Sequence, residues 1–276
     1  MIMKYKFLSI FLLLTLCQCA DWEQVTQLKV NPGIISNRVV LVEDFTGASC
    51  TNCPGAASTL ESLLEKYPNN LVVVGVHSRF LGLPAKSGDP NFVTPEAEDI
   101  EKFLGAWDGK PEAAFNRRLF PNEKKIRIGK PDTWISYLEQ ELVVAPKVDL
   151  NINVSFDETT RNVHIVLTTK ALGAINNKLH MHVALTESNI IADQKSLTGI
   201  LSPYTHNHVL RKLITPTSGE KIADQLDLNA TIEKSYDFVL PTDAVLWQAD
   251  RCSVIAYVSE DENSKYILQA AESKIK

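Results

Sequence analysis

Residues 40–54, VLVEDFTGASCTNCP, place two cysteines two residues apart directly after an apolar run. Residues 38–45 are almost continuously apolar and β-branched, which is typical of a strand buried on both faces. Pro54 suits the first turn of a helix, and apolar residues at helical spacing follow through residue 67. The stretch therefore predicts a strand, a turn that carries Cys50 and Cys53, and a helix.

The same alternation continues to residue 145. A second buried strand is predicted at 70–78 and a long surface excursion at 79–93. Thr94 and Pro95 are typical of a helix start, and that helix is expected to stop near Gly105. Residues 111–120 and 124–129 are predicted to form a pair of short strands, and 130–142 a closing amphipathic helix. Strands separated by helices predict an α/β sheet with parallel members.

The pattern changes at residue 146, where a boundary between two domains is predicted. From there to residue 276 the apolar residues alternate with period two and helical signals are few. Roughly seven short strands in this length are expected of an antiparallel sandwich. The predicted fold class is an α/β domain over 38–145 followed by an all-β, immunoglobulin-like sandwich over 146–276.

The first 19 residues have the pattern of a signal peptide. Two lysines precede an apolar run at residues 7–16, which is too short to span a bilayer of about 30 Å as a helix. Cys19, or alternatively Cys17, lies where a bacterial lipoprotein carries its lipidated cysteine, and ordinary cleavage after Cys19 is the other interpretation. Residues 20–37 are predicted to be a tether. We expect an exported chain held by a lipid anchor.

Composition and charge exclude some classes of partner. The chain of 276 residues has 45% hydrophobic and 22% charged residues, which are ordinary globular values. Its net charge is −5, and acidic and basic residues are mixed along the chain. Because there is no basic stripe with interleaved aromatic residues, no nucleic-acid partner is expected.

Three interpretations compete for Cys50 and Cys53. A structural zinc site usually takes four ligands, and the chain has no second CxxC motif. A structural disulfide closing so short a loop removes little entropy from the unfolded chain. A redox dithiol fits the flanks, because the positive end of a helix favours the thiolate form of Cys50. Cys53, one turn further on, is then close enough to resolve a mixed disulfide.

Two further residues are candidates for this chemistry. Asp44, six residues before Cys50, is predicted to be buried behind the pair and to accept a proton from Cys53. An exposed acid at the end of the strand is the alternative. Glu43 is the competitor of Asp44, since neighbouring strand residues point to opposite faces. Pro111 precedes a predicted strand, where a cis peptide would leave the Lys110 backbone free to pair with a substrate chain. An ordinary turn proline is the alternative. No metal or cofactor is expected.

Other polar candidates have plainer interpretations. Two histidine pairs at i, i+2 spacing are able to share a metal, but exposed strand positions are expected for them: His180 with His182, and His206 with His208. His77 is predicted to lie near the cysteine turn, where it would tune Cys50 or simply hold a loop. Cys252 is predicted to be a buried, inert thiol in a strand.

Residues 38–145 resemble the thioredoxin fold, on the segments EDFTGASCTNC and GKPEAAF. Together with the signal peptide and HNHVLR, they make the whole chain similar to the outer-membrane-protein-28 family of envelope lipoproteins. That resemblance implies an envelope location, a thioredoxin-like domain and surface or adhesive roles.

Two functions are therefore predicted. The first is an envelope protein that carries out, or is coupled to, thiol–disulfide exchange with protein thiols or disulfides, and thiol–disulfide oxidoreductase is the candidate enzyme class. The alternative is a lipid-anchored surface binding or adhesion protein in which Cys50–Cys53 is a structural disulfide. Both place the chain at the outer membrane as a lipoprotein that faces the periplasm or the surface.

Overall fold

The structure, a computed structural model, describes residues 37–261 and 265–276 of the chain. The predicted signal peptide, both candidate lipidation sites (Cys17 and Cys19) and residues 20–36 of the tether lie outside this part. Within the two described ranges no helix is long and apolar enough to cross a membrane.

The first elements follow the predicted order of strand, turn and helix. Strand β1 (Val40–Phe45) is buried along its whole length, and helix α1 (Cys53–Lys66) starts with Pro54 in its first turn. Strand β2 (Leu71–Val76) is also fully buried and runs parallel to β1. The predictions for these three elements are confirmed, because each depends on a local apolar pattern.

The segment from 79 to 142 holds the remaining α-helices of the described residues: α2 (Arg79–Gly82), α3 (Pro95–Leu104) and α4 (Trp134–Leu142). Short 3-10 helices lie at Pro131–Thr133 and Ala249–Arg251. As predicted, the Thr94 side chain caps α3 by accepting a hydrogen bond from the Ala97 amide. Only the first of the two predicted strands forms, as β3 (Glu112–Phe115), antiparallel to β1. The second was wrong: it contributes a single bridge at Ile128, and its Arg127 instead pairs with buried Glu112.

Ten strands follow in the second half of the described chain, where roughly seven were predicted. They are β4 (Val148–Asp157), β5 (Asn162–Ala171), β6 (Leu179–Glu187), β7 (Ile190–Ser196), β8 (Gly199–His206), β9 (Val209–Leu213), β10 (Glu220–Ala223), β11 (Thr231–Val239), β12 (Cys252–Glu260) and β13 (Ile267–Lys274). The predictions missed β7, β8 and β10.

Most of the strands join in one mixed sheet of eight, in the order β13-β12-β6-β9-β2-β1-β3, with β10 also paired to β6. The parallel contact between β2 and β9, at Gly75 and Val209, links the strands before and after the predicted domain boundary. The boundary itself falls in the connection between α4 and β4. The division into two domains, 38–145 and 146–276, stays a prediction. Strands from both sides of this boundary belong to the same large sheet.

A second, three-stranded sheet in the order β11-β5-β4 packs against the large one. Their shared core includes Val148 and Ile165 from the small sheet and Val183 and Val254 from the large sheet. The residues of β4 and β11 alternate between more and less buried positions, as expected of strands with one wet face. The described chain is thus mostly β, with a mixed sheet and little helix.

The predicted exposure of the histidine pairs is wrong. His180 and His182 are buried because the backbone at Gly219 lies against both side chains, and the His182 ring stacks on Tyr257 at 4.5 Å. His206 and His208 do not share a strand face: His206 ends β8 and is buried, while His208 lies in the following turn at φ 58°. Because β8 and β9 belong to different sheets and His208 lies between them, strand periodicity does not apply to these two residues.

Candidate functional site

The two cysteines form a disulfide at the start of α1, with their Cα atoms 5.4 Å apart. Cys50 ends the turn that leaves β1, and Cys53 is the first residue of the helix. The third cysteine of the described chain, Cys252, is a free thiol buried at the start of β12, as predicted. Burial raises the pKa of Cys252 to about 12, which keeps it an inert thiol.

Both disulfide cysteines are nearly covered: Cys50 is 1% exposed and Cys53 is 3% exposed. Part of the cover comes from residues 79–84. The Leu81 carbonyl accepts a hydrogen bond from the Ser49 amide at 2.9 Å, and the Ser49 hydroxyl donates to the Leu83 carbonyl at 3.0 Å. A glycine is required at position 47, since a Cβ there would lie 2.2 Å from the Leu81 oxygen.

The hairpin of β7 and β8 covers the turn from the other side. The Gln194 side-chain amide donates to the Cys50 carbonyl at 2.9 Å and to the Gly47 carbonyl at 3.2 Å. The Lys195 amide donates to the Ala48 carbonyl at 2.9 Å. The cysteine turn is therefore clamped between two chain segments, and the hairpin bonds its backbone directly.

The two neighbouring acids of β1 occupy different environments. Glu43 is buried and forms two hydrogen bonds with the Arg117 guanidinium, at 2.7 and 2.9 Å. Asp44 is 6% exposed and faces the other side of the sheet, where it lines a cavity together with Cys53. Asp44 is thus the acid placed beside the disulfide, and Glu43 is committed to an ion pair.

This cavity, called the Cys53 cavity below, has a volume of about 360 Å³. It lies between the start of α1, the ends of β1 and β2, and the turn from β8 to β9. The titratable or hydrogen-bonding side chains in its lining include Asp44, Cys53, His77, Gln194, Tyr204 and His206, together with Glu61 and His208. Cys50 is not among the lining residues.

Burial determines the protonation states of the titratable groups that line the cavity. It raises the pKa of Asp44 to about 7, while nearby Lys110 acts in the opposite direction. Burial lowers the pKa of His77 to about 3, with a further contribution from neighbouring His206, and lowers the pKa of His206 to about 4. Near neutral pH the imidazoles of His77 and His206 are therefore uncharged, and the Asp44 carboxyl is able to gain or lose a proton.

Pro111 lies on the opposite side of the turn. The Lys110–Pro111 peptide is cis, and Pro111 lines a second cavity of about 640 Å³ together with Asn52 and Gly55 from the start of α1. Neither cysteine lines this second cavity. The Lys110 side chain is buried and donates to the Ser78 hydroxyl at 2.7 Å.

No metal site emerges from these groups. Across residues 37–261 and 265–276, no three histidine, cysteine or acidic side chains are arranged so that they would hold a metal ion. His77, predicted to lie near the turn, does line the Cys53 cavity, with its Nδ1 atom 3.3 Å from the Gly75 carbonyl.

The contribution of the β7–β8 hairpin to the site was not predicted from the sequence. Gln194, Tyr204 and His206 all come from β7 and β8, which were not predicted. A turn signal was present at Gly199, whose φ of +124° favours glycine, but the flanking residues do not alternate clearly. Their place over the cysteines depends on tertiary contacts.

Replacing Gln194 by alanine is expected to loosen the hairpin over the cysteines. The change removes the hydrogen bonds to the carbonyls of Gly47 and Cys50, each worth roughly 1 kcal/mol. In the reduced protein the rate of Cys50 alkylation by iodoacetamide should then rise roughly tenfold, as measured by mass spectrometry of the Cys50 peptide. Lys195→Ala is the matched control, because only the backbone amide of Lys195 contacts the turn. Equal rates of Cys50 alkylation in Gln194→Ala and Lys195→Ala would show that the Gln194 hydrogen bonds do not restrict access to Cys50.

Two solved structures resemble the chain along most of its length. HBP35 of Porphyromonas gingivalis is 16% identical, with a TM-score of 0.66 over 87% of this chain and 76% of that chain. A protein from Agrobacterium tumefaciens is also 16% identical, with a TM-score of 0.53 over 87% of this chain and 96% of that chain. At this identity the likeness concerns the fold alone. No curated protein matches the sequence.

A family match covers the larger part of the chain. Residues 101–276 match the family described as outer membrane protein Omp28. The matched region includes Pro111 and the hairpin of β7 and β8, and it begins after Asp44, Cys50 and Cys53. It therefore identifies the family without bearing on the disulfide.

Proposed function

The chain belongs to the Omp28 family of outer membrane proteins, and we propose that it is an envelope protein that exchanges thiols and disulfides through Cys50 and Cys53. Membership suggests association with the envelope or outer membrane. The lipid anchor at Cys19, or alternatively Cys17, belongs to the proposal as a prediction from the sequence.

The observation that carries the proposal is the pairing of the disulfide with a buried acid. Asp44 and Cys53 line the same cavity, and burial raises the pKa of Asp44 to about 7. A buried carboxyl destabilises the fold, and a purely structural disulfide does not require a carboxyl beside it. A proton acceptor that works near neutral pH is what exchange requires, because the reactive species is the thiolate.

The topology around the pair supports a thioredoxin-like arrangement for residues 38–145. Parallel β1 and β2 are joined through α1, and antiparallel β3 lies on the other side of β1. The disulfide occupies the junction of β1 and α1, where the positive end of the helix stabilises a thiolate. For residues 146–276, the packing of the β11-β5-β4 sheet on the large sheet supports a sandwich of the immunoglobulin-like kind.

A second candidate function is the surface binding protein with a structural disulfide. The burial of both sulfurs favours it, since Cys50 and Cys53 are 1% and 3% exposed. A large folded substrate would reach neither sulfur without movement of the hairpin. The partner of such a protein would bind elsewhere, with the disulfide fixed in the oxidised state.

An exchange assay separates the two functions. The wild-type protein is expected to speed the reduction of a disulfide substrate by a thiol, and Cys50→Ser and Cys53→Ser should each abolish that activity, because either change removes the dithiol. Cys252→Ser is the matched control and should keep it, since Cys252 is a buried thiol outside the turn. Full activity in the Cys50→Ser variant would refute the proposed exchange.

A further inference from the structure

We propose, on the basis of the exchange function above, that the substrate of the pair is a low-molecular-weight thiol that enters the Cys53 cavity and attacks Cys53. A protein thiol is disfavoured because the hairpin and residues 79–84 cover the turn. Cys50 was predicted as the sulfur that meets the substrate, and the geometry assigns that position to Cys53 instead.

The accessibility of the two sulfurs favours attack on Cys53. Cys53 lines the cavity and Cys50 does not, so a molecule inside the cavity meets Cys53. The volume of about 360 Å³ lies at the small end of the range for small-molecule sites, roughly 300–1,000 Å³. Exposed Ser58 and Glu61 of α1 form part of the lining, which places the mouth of the cavity beside the helix.

Two unpartnered polar atoms indicate that the cavity holds a polar ligand. In the part of the chain that the structure describes, Asp44 Oδ1 and His206 Nε2 are buried and have no hydrogen-bond partner. Both residues line the cavity, and they are 6% and 5% exposed. Buried polar groups are normally hydrogen-bonded, so these two atoms indicate a ligand that supplies the missing partners. The thiol is therefore expected to carry polar groups of its own.

The reaction balances without any further reagent. A first thiol gives its proton to the Asp44 carboxylate, and its sulfur attacks Cys53 Sγ. The Cys50–Cys53 bond breaks, a mixed disulfide forms on Cys53, and Cys50 leaves as a thiolate that takes the proton from Asp44. A second thiol attacks the substrate sulfur of the mixed disulfide, and its proton passes to Cys53. Two thiols are oxidised to one disulfide, and the protein disulfide is reduced to two thiols.

Leaving-group chemistry favours the same direction. In thiol–disulfide exchange the thiol of lower pKa leaves faster. Cys50 precedes the first turn of α1, where the helix dipole stabilises a thiolate. Attack on Cys53 therefore releases Cys50, which is the better leaving group. The accessible sulfur and the favoured leaving group thus indicate the same direction of attack.

Variants of the chain that each lack one cysteine of the pair test the assignment. Cys50→Ser and Cys53→Ser are each treated with hydroxyethyl disulfide, and mass spectrometry of peptides measures adducts on the remaining cysteine, apart from Cys17 and Cys19. Cys53 in the first variant should react at least roughly tenfold faster than Cys50 in the second, in keeping with its access. An equal or faster reaction at Cys50 would overturn the assignment and leave the exchange function standing. Reaction at neither would overturn both.

A cavity-mouth variant tests the route in the protein with its disulfide intact. Ser58→Phe places a bulky ring at a lining position on the exposed face of α1. Ser62→Phe makes the same change one turn further on, outside the lining. Reduction of the disulfide by 2-mercaptoethanol should slow roughly tenfold in Ser58→Phe and by less than about twofold in Ser62→Phe, since only the first narrows the entrance. The same rate in both variants would contradict entry through the cavity.

Discussion

Replacing Arg117 by methionine is expected to lower the free energy of unfolding by about 3–5 kcal/mol, because it leaves the buried Glu43 carboxylate without its partner. The two side chains are each 1% exposed and form two hydrogen bonds. The Arg117 guanidinium also donates to the Tyr257 hydroxyl at 3.1 Å, so it ties β1 to β12. Urea denaturation followed by circular dichroism measures the loss.

An exposed ion pair provides the control for this change. Lys66 and Glu139 lie 3.1 Å apart with side chains 52% and 44% exposed, and Lys66→Met should cost less than about 1 kcal/mol. A loss below about 1 kcal/mol in Arg117→Met would show that Glu43 is not held as described. The double variant Glu43→Met, Arg117→Met should recover much of the loss, because no charge is then left buried.

The second large effect is a pH-dependent gain in stability in the variant Asp44→Asn. The pKa of Asp44 is raised by burial from 3.8 in the unfolded chain to about 7 in the folded protein. Between these values the folded protein keeps a proton that the unfolded chain has released, so the contribution of Asp44 to stability falls as the pH rises from about 4 to about 7. Above pH 7 that loss is complete, and it amounts to up to about 4 kcal/mol.

Asparagine has the size of aspartate and does not titrate, so the variant escapes this loss. Asp44→Asn and the wild type should differ little at pH 4, and at pH 8 the variant should be more stable by several kcal/mol, on the order of the figure above. Comparing the two proteins at each pH removes the effects of His77 and His206, which titrate in both. A difference in stability that does not change between pH 4 and pH 8 would show that Asp44 is not buried beside Cys53.

The first half of the site follows from the sequence because its signals are local. A buried strand, a proline at a helix start and the capping Thr94 each act within a few residues, and β1, α1 and α3 formed where they were predicted. Strand parity also required Glu43 and Asp44 to face opposite ways. It did not say which of them would face the cysteines, because that depends on the contact with Arg117, 74 residues away from Glu43.

The remaining features depend on distant contacts. The hairpin of β7 and β8 packs on the cysteine turn through Gln194, 144 residues after Cys50, and nothing near Cys50 in the sequence indicates this cover. His180 and His182 have the alternation of a half-exposed strand, yet the distant Gly219 backbone covers both of them. The continuous sheet likewise depends on one pairing, between Gly75 and Val209.

The reduction potential of Cys50–Cys53 distinguishes an exchanging pair from a structural disulfide. The full-length protein is equilibrated in glutathione buffers of graded potential, and the fraction of dithiol is read by thiol trapping and mass spectrometry of the Cys50–Cys53 peptide. An exchanging pair should be half-reduced at a potential above about −300 mV, the value below which structural disulfides lie. A pair that stays oxidised throughout the series and titrates only below that value would refute thiol–disulfide exchange and indicate a structural disulfide in a binding protein.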